Sequence, residues 1–220
     1  MVVVSIQARM GSNRLPGKVL LQLGERRIIG HVVDRIRGAA VTADIAVTTG
    51  DRAPNDAIRE WCRRASLRCE TGPEENLMER HRQVGAVTDS DLLVRITADC
   101  PFVPSAEIER VLDAHRNSDA RYTTNVTAAM PVGTGVDVID TDVLAELAEL
   151  GDTHPVNRLH ENPDSWNRLA TTTPVWTQYG DVHLAVDTPA DYWRLIDAVK
   201  AIETDPRSVA DVLSSQDGER

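Results

Sequence analysis

Short apolar runs alternate with amphipathic stretches along the first half of the chain. Val2–Gln7 is a compact apolar run of the kind that forms a buried strand. Other strand-like runs precede stretches in which apolar residues repeat every three or four positions, as in a helix. The further strands predicted are 44–49, 68–71 and 92–97, and the predicted helices are 28–36, 56–65, 75–87 and 105–116, the last capped by Ser105. This order predicts βαβ units and a parallel sheet.

The pattern changes near residue 120, where strands and helices no longer alternate regularly. The strands predicted here are 120–124, 135–139, 169–173 and 182–186, with helices near 142–150 and 154–161. A capping box at 188–191 predicts a helix to about Glu203, and a short final helix is expected at 208–214. We therefore expect one domain, 1–220, made of two halves, 1–119 and 120–220.

The composition limits the classes of partner. The 34 acidic and 24 basic residues give a net charge of −10, which is a poor match for nucleic acid. The three cysteines show no paired spacing, as expected in a reducing compartment. No apolar run is long enough to span a membrane, and Met1 leads directly into a strand pattern without a signal peptide. These features predict a cytoplasmic protein without membrane insertion; the sequence leaves a homodimer open.

The segment Ala8–Lys18 carries three cationic side chains directly after the first strand. Its glycines would let backbone N–H groups approach a phosphate chain closely. Arg9 and Arg14 can each hold phosphate oxygens through two hydrogen bonds, and Lys18 adds a point charge. The segment is not a P-loop, because Val19 follows the lysine where that motif needs Ser or Thr. Three clustered cations in an acidic chain favour phosphate binding over a merely solvated turn.

Two aspartates follow predicted strands and precede prolines. Asp99 follows 92–97, and Asp187 follows 182–186. If the fold brings both carboxylates together, a cation must neutralise them, and Mg²⁺ suits such a pair because phosphate oxygens and water complete its coordination. The alternative is that each aspartate only caps the next helix. The acidic residues around Glu74–Glu79 are interpreted more simply, as a solvated helix start.

The sequence around these residues resembles a known family. Ile6–Leu20 reads I-Q-A-R-M-G-S-N-R-L-P-G-K-V-L and is similar to the opening of the cytidylyltransferases that include spore-coat polysaccharide synthesis proteins, with acylneuraminate and Kdo cytidylyltransferases as wider relatives. Val94–Pro101 and Val186–Tyr192 continue the resemblance, which spans nearly the whole chain in order. The chain departs from the family at Ala98, where Gly is frequent, and at Thr153, where Glu often precedes the histidine. These departures leave the acceptor sugar open.

The resemblance implies a three-layer α/β/α fold with a Rossmann-like, mostly parallel sheet of the nucleotide-sugar transferase type. It implies Mg²⁺ as cofactor on Asp99 and Asp187, and Arg14, Lys18 and Asp99 as catalytic residues. The expected nucleotide-binding residues are Ala8, Arg9, Gly11, Ser12, Arg14, Lys18, Thr48, Thr49, Arg80 and Thr97. The expected acceptor-binding residues are Asn125, Asp137 and His154.

The activity predicted is transfer of CMP from CTP to a sugar, with an acidic sugar as one candidate, and release of pyrophosphate for surface polysaccharide or glycan synthesis. A nucleotidyltransferase using another nucleotide is an alternative. A glycosyltransferase of related fold is a second, and its D-x-D metal motif would have to be Asp89-Ser90-Asp91, which precedes a strand. A non-catalytic nucleotide-binding module is a third, but pure binding would not need the two aspartates.

Overall fold

The computed structural model describes residues 1–201 and residue 210. Within these residues, seven strands form one sheet in the order β5-β4-β1-β6-β8-β7-β9, and β2 and β3 form a small separate hairpin. The strands are β1 (Val2–Gln7), β2 (Gln22–Leu23), β3 (Arg26–Arg27), β4 (Asp44–Gly50), β5 (Arg68–Gly72), β6 (Leu92–Thr97), β7 (Tyr122–Thr124), β8 (Asp137–Asp140) and β9 (Arg168–Ala170). The hairpin is absent from the sequence prediction, because strands of two residues leave no detectable alternation.

Helices connect the strands and cover both faces of the sheet. They are α1 (Ile28–Arg37), α2 (Asp56–Arg64), α3 (Leu77–Val87), α4 (Ser105–Arg116), α5 (Thr141–Glu149), α6 (Asn157–Glu161), α7 (Pro174–Thr177) and α8 (Pro189–Ala201). The predicted end of the last long helix near Glu203 and the predicted helix at 208–214 lie outside the described residues. Over the described part of the chain, no helix is long and apolar enough to cross a membrane.

The sheet is parallel on one side and mixed on the other. Strands β5, β4, β1 and β6 run parallel, with Gln7 opposite both Thr48 and Thr97. Strand β8 is antiparallel to β6 and β7, and β7 pairs in parallel with β9. The carboxyl ends of the four parallel strands therefore meet at one edge, where ligands bind in open α/β sheets.

Alternating residues of the central strand divide the core into two layers. Val4 packs in the cluster that contains residues of α1, α2 and α4, whereas its neighbour Val3 packs with residues of α3 and α5 on the opposite face. Successive strand side chains point to opposite faces, so β1 is buried on both sides. Each such aliphatic side chain contributes roughly 1.5–3 kcal/mol by burial. The three-layer α/β/α fold with a mostly parallel sheet is thus confirmed.

Three local predictions are wrong, and tertiary contacts account for the first two. Residues 182–186 do not form a strand, and His183 makes only an isolated parallel bridge with Val132. Ser105 is the first residue of α4 rather than its cap, because its hydroxyl donates to the Arg35 carbonyl (2.7 Å). Helix α6 begins at Asn157, three residues later than predicted.

Candidate active site

An open cavity of about 590 Å³ lies at the carboxyl edge of the parallel strands. The segments that follow β1, β5 and β6 supply most of its wall, and residues before α6 and α8 complete it. The lining residues are Gln7, Ala8, Arg9, Ser12, Asn13, Arg14, Lys18, Val19, Glu74, Glu75, Leu77, Arg80, Asp99, Thr153, His154, Asn157 and Asp187. The topology thus gathers polar groups that are up to 180 positions apart in the sequence.

The loop after β1 is folded back on itself by backbone hydrogen bonds. The Met10 carbonyl accepts from the N–H groups of Ser12 (3.0 Å) and Gly17 (2.9 Å). Gly17 has φ = 72°, in the left-handed region where a side chain would be strained. A 3₁₀ turn, Lys18–Leu20, starts at once after it and buries Lys18. The loop therefore delivers the lysine into the wall of the cavity.

Lys18 joins the two predicted metal ligands. Its Nζ lies 2.6 Å from an Asp99 carboxylate oxygen and 3.0 Å from an Asp187 carboxylate oxygen. Arg14 also reaches Asp187, at 2.8 Å. Burial acts to lower the pKa of Lys18 and is the largest single influence, but the charges of the two aspartates and their hydrogen bonds together raise that pKa above its ordinary value. The two carboxylates are thus held within reach of one cation, beside the loop.

Asp187 reaches this position without the strand that the sequence predicts. The Val186 N–H donates to the Asp99 carbonyl (2.9 Å), which ties the two aspartate segments together directly. The N–H groups of Asp187 and Thr188 donate to Asp191, and the Asp191 N–H donates to the Thr188 hydroxyl (3.2 Å). The predicted capping box is therefore present, and Thr188 and Asp191 fill the capping roles, which leaves the Asp187 carboxylate facing the cavity.

A buried arginine adds a second positive feature to the wall. Arg80 is 4% exposed, and its Nε and Nη1 atoms have no hydrogen-bond partner among the described residues. Burial lowers the pKa of this guanidinium, the charge of Arg9 adds to that lowering, and Glu74 opposes it. Buried donors are rarely left unpaired in native proteins. Arg80 therefore lines the cavity with two buried donors unpaired, which keeps it a candidate ligand-binding residue.

Glu74 is part of the cavity wall, so the sequence interpretation of this acidic stretch as a solvated helix start is wrong at this position. The Asn55 side chain donates to Glu74 Oε2 (2.7 Å) and accepts from the Met10 N–H (2.9 Å). Glu75 also lines the cavity, but its carboxylate is exposed and pairs with exposed Arg52 at 2.7 Å. Neither Glu74 nor Asn55 was predicted from the sequence as a site residue.

His154 lines the same cavity and is neutral at ordinary pH. Burial lowers the pKa of its imidazole to about 4, and the nearby charge of Arg95 acts in the same direction. Its Nδ1 accepts a long hydrogen bond from the Val156 N–H (3.4 Å). A neutral imidazole can accept a hydrogen bond from a hydroxyl but is a weak base at this pKa.

A smaller cavity of about 250 Å³ lies next to the β6–β8 pair and holds the other predicted acceptor residues. Asp137 is 1% exposed and accepts from Tyr122 (2.7 Å), Thr124 (2.7 Å) and Arg95 (2.6 Å). Asn125 donates to Glu107 and to the Thr134 carbonyl and accepts from the Val136 N–H. Both side chains are engaged within the protein, so their first role in this structure is to shape the cavity.

The remaining predicted nucleotide residues differ in position. Thr97 lines the smaller cavity, and its hydroxyl lies 2.8 Å from the Cys100 sulfur. Thr48 and Thr49 are fully buried near the end of β4 and are absent from the wall of either cavity. Asp89 and Asp91, the candidate D-x-D motif, precede β6, and Asp91 pairs with the amino terminus. That motif therefore lies at the end of β6 opposite to the cavity, which removes the support for a glycosyltransferase.

The profile of the cytidylyltransferase family matches residues 3–163, which include the loop after β1, Glu74 and Asp99. This match covers most of the chain. The chain belongs to the cytidylyltransferase family. It is accordingly a nucleotidyltransferase, and the resemblance found in the sequence is confirmed.

Relatives of this cytidylyltransferase match it over nearly its full length. The spore coat polysaccharide biosynthesis protein SpsF of Bacillus subtilis is 26% identical over 225 residues, covering 98% of this chain and 91% of the relative. A cytidylyltransferase structure from Leptospira borgpetersenii superposes with a TM-score of 0.90 at 22% identity, covering 99% of this chain and 95% of the other. A CMP:2-keto-3-deoxy-manno-octonic acid synthetase complexed with CTP gives a TM-score of 0.67 at 20% identity, with coverages of 91% and 98%. At these identities the two structures establish the fold.

The donor set of this cytidylyltransferase fits a divalent cation that arrives with a nucleotide. Across residues 1–201 and 210, no cluster of three or more His, Cys, Asp or Glu side chains could hold a metal alone. Asp99 and Asp187 supply two carboxylates, and Mg²⁺ commonly takes one or two carboxylates and completes its shell with water and phosphate oxygens. A protein of the same fold, Rv0371C of Mycobacterium tuberculosis, has been solved with manganese (TM-score 0.62, 22% identity, coverages 89% and 97%). The residues present therefore fit a divalent metal.

Proposed function

We propose that this enzyme transfers CMP from CTP to a hydroxyl group of a sugar and releases pyrophosphate, with Mg²⁺ as its cofactor. The observation that supports the proposal most strongly is the contact of Lys18 with both Asp99 and Asp187 beside the cationic loop. The CTP and sugar relatives named above support the choice of substrates. The 2-keto-3-deoxy-manno-octonic acid of the synthetase relative makes an acidic sugar one acceptor to test.

In this proposal the triphosphate of CTP lies against the loop after β1. The side chains of Arg9 and Arg14 and the Ser12 hydroxyl, which all line the cavity, hold its oxygens. Lys18 donates to the oxygens that become negative as pyrophosphate leaves. Mg²⁺ on Asp99 and Asp187 would neutralise phosphate charge when bound, which is worth several kcal/mol in comparable sites. These residues position and neutralise charge, which is most of what phosphoryl transfer requires of a protein.

The acceptor sugar enters from the smaller cavity, so that residues 1–119 bind the nucleotide and 120–220 supply most of the acceptor wall. Arg95 is the single cation on the wall of this cavity among the described residues, and it is paired with Asp137. His154 lines the larger cavity, and the charges of Arg95 and Asp137 both act on its imidazole. Neutral His154 would accept a hydrogen bond from the attacking hydroxyl and orient it.

A pyrophosphate-release screen of four nucleoside triphosphates against neutral and acidic sugars tests the proposal. We expect release with CTP, Mg²⁺ and one class of sugar. The variant Asp99→Asn should reduce turnover by at least about 100-fold with little change in thermal stability, because it removes a charged group from the reacting phosphates.

The matched control is Asp89→Asn, at the opposite end of β6. Asp89 is exposed with φ = 48°, a conformation that Asn accepts readily, so activity should be retained. Full activity of Asp99→Asn would remove the phosphate and metal assignment. Release of nucleoside monophosphate or diphosphate from a nucleotide sugar, without pyrophosphate, would identify a glycosyltransferase instead.

A further inference from the structure

The large cavity has two ends of different chemistry. Asp99, Asp187 and Lys18 lie beyond β6 and β1, whereas Glu74 follows β5, at the edge of the sheet. The Glu74 carboxylate lies beside Gly50 at the end of β4, and β4 and β6 are two positions apart in the sheet, or about 10 Å at roughly 4.8 Å per strand. A carboxylate only accepts hydrogen bonds and repels phosphate, so the Glu74 end must receive a hydrogen-bond donor of the nucleotide.

The carboxylate of Glu74 is fixed in place. Asn55 donates to Oε2 (2.7 Å), and the Asn55 side chain is itself oriented by the Met10 N–H of the phosphate loop. Gly50 leaves the space for this carboxylate, since a Cβ added there would lie 1.7 Å from Glu74 Oε2. Within the described ranges Oε1 has no hydrogen-bond partner, so it can accept from a ligand in the cavity.

These observations select the base as the partner. The base is the part of a nucleotide furthest from its triphosphate, and the ribose hydroxyls lie between the two. Cytosine carries an exocyclic amino group, which donates, where uracil carries a carbonyl oxygen, which accepts; Glu and Asp are the side chains that accept from that amino group. We propose that Glu74 is the residue that selects cytosine, by accepting a hydrogen bond from its 4-amino group at Oε1. This inference rests on the proposed function.

The test compares kcat/KM for CTP and for UTP in the wild-type enzyme and in Glu74→Gln. The Gln oxygen can keep the bond from Asn55 while its NH₂ group faces the base and donates to the uracil carbonyl. We expect the CTP-to-UTP ratio to fall by about 10- to 100-fold, the range for one charge-assisted hydrogen bond. Both substrates are measured on one preparation, so a partly unfolded sample does not alter the ratio, and Glu74→Ala should lower it as well.

The matched control is Glu60→Gln, which makes the same charge change on α2, away from the walls of both cavities. The Glu60 carboxylate pairs with Arg63 and Arg64 at the surface, so the ratio should stay at the wild-type value. A wild-type enzyme that uses CTP and UTP equally would overturn the inference. An equal loss for both nucleotides in Glu74→Gln would also overturn it, and would indicate a contact to the ribose, which 2′-deoxy-CTP would then reveal.

A binding measurement separates this inference from the proposed function. Thermal shifts with CMP and UMP need no acceptor and no turnover, and they should show a preference for CMP that Glu74→Gln loses. If no triphosphate yields pyrophosphate but this CMP preference is present, the proposed function fails and the role of Glu74 stands. If CTP is used but Glu74→Gln changes neither the CTP-to-UTP ratio of kcat/KM nor the preference for binding CMP over UMP, the role of Glu74 fails alone.

Discussion

Replacing Lys18 with Met should make the two aspartates a better site for a divalent cation while reducing turnover. In the present structure the ammonium group lies between Asp99 and Asp187 and compensates both charges. Met has a similar length but no charge, so Asp187 would keep only its pair with Arg14, and the repulsion between the two carboxylates would no longer be compensated from between them. Two unit charges about 5 Å apart repel by about 1 kcal/mol in water and about 3 kcal/mol at an effective dielectric constant of about 20.

Because the site is partly exposed, the loss of unfolding free energy should lie between the repulsion energies for water and for the protein interior. The Lys18 side chain is 10% exposed, but the aspartates are 25% and 24% exposed, so water screens part of the repulsion. We expect a loss of about 2 kcal/mol of unfolding free energy, or roughly 4–8 °C in Tm for a chain of this size. Because Mn²⁺ relieves the same repulsion, the variant should recover most of this loss in millimolar Mn²⁺, and wild-type protein should respond less.

The assay is thermal unfolding with and without Mn²⁺, combined with electron paramagnetic resonance of free Mn²⁺ to obtain Kd. The double variant Lys18→Met/Asp99→Asn is the control, because it removes the repulsion together with the lysine. Its Tm should return toward the wild-type value, and its response to Mn²⁺ should disappear. A single variant that binds Mn²⁺ more weakly than wild type, or a double variant that responds equally well, would refute the reasoning.

Two further predictions concern stability. Between about pH 6.5 and about pH 5 the unfolding free energy should fall, because burial lowers the pKa of His81 and of His154 in the folded state (His154 to about 4) and the unfolded chain binds the protons instead. His154, which is partly screened by solvent, should contribute about 1 kcal/mol of this fall. Urea titrations check this, His154→Asn should remove its share, and a flat profile would contradict it. Asn125→Ala should lower the unfolding free energy by about 2–3 kcal/mol, because it leaves the buried partners of this side chain unpaired. Asn117→Ala, at an exposed helix end, is the control and should lower it by less than about 1 kcal/mol. Equal losses would show that Asn125 is not structural.

The sequence predicts the parallel half of the fold well because local and tertiary preferences agree there. The apolar run of β1 is buried on both faces, and the loop after it is long and specific in its cations and glycines. The placement of Asp99 follows directly, since it comes after a strand that pairs with β1 in the expected parallel register.

Asp187 shows how a correct placement can come from a wrong local prediction. Residues 182–186 have the alternation of a strand but are held by the Asp99 carbonyl and by the bridge to Val132. The position of the carboxylate depends on those contacts, which no local pattern encodes. Its neighbour Thr188 behaves as predicted, because the capping box is a local interaction within four residues.

Glu74 could not be distinguished by sequence from its acidic neighbours. Its hydrogen bond from Asn55 joins residues 19 positions apart, and the glycine that makes room for it lies on another strand. The one indication in the sequence was that Glu74 follows a predicted parallel strand, β5, just as Asp99 follows β6. Asp137 is the converse case, since its carboxylate is occupied by three partners that come from β6 and β7.

A crystal structure with CTP and Mn²⁺ is the most direct test of the central claim, that the triphosphate lies between the loop after β1 and a metal shared by two aspartates. We expect one anomalous manganese peak within coordination distance of both Asp99 and Asp187, with the triphosphate against Arg14 and Lys18. A triphosphate bound elsewhere, or manganese bound by neither aspartate, would contradict it.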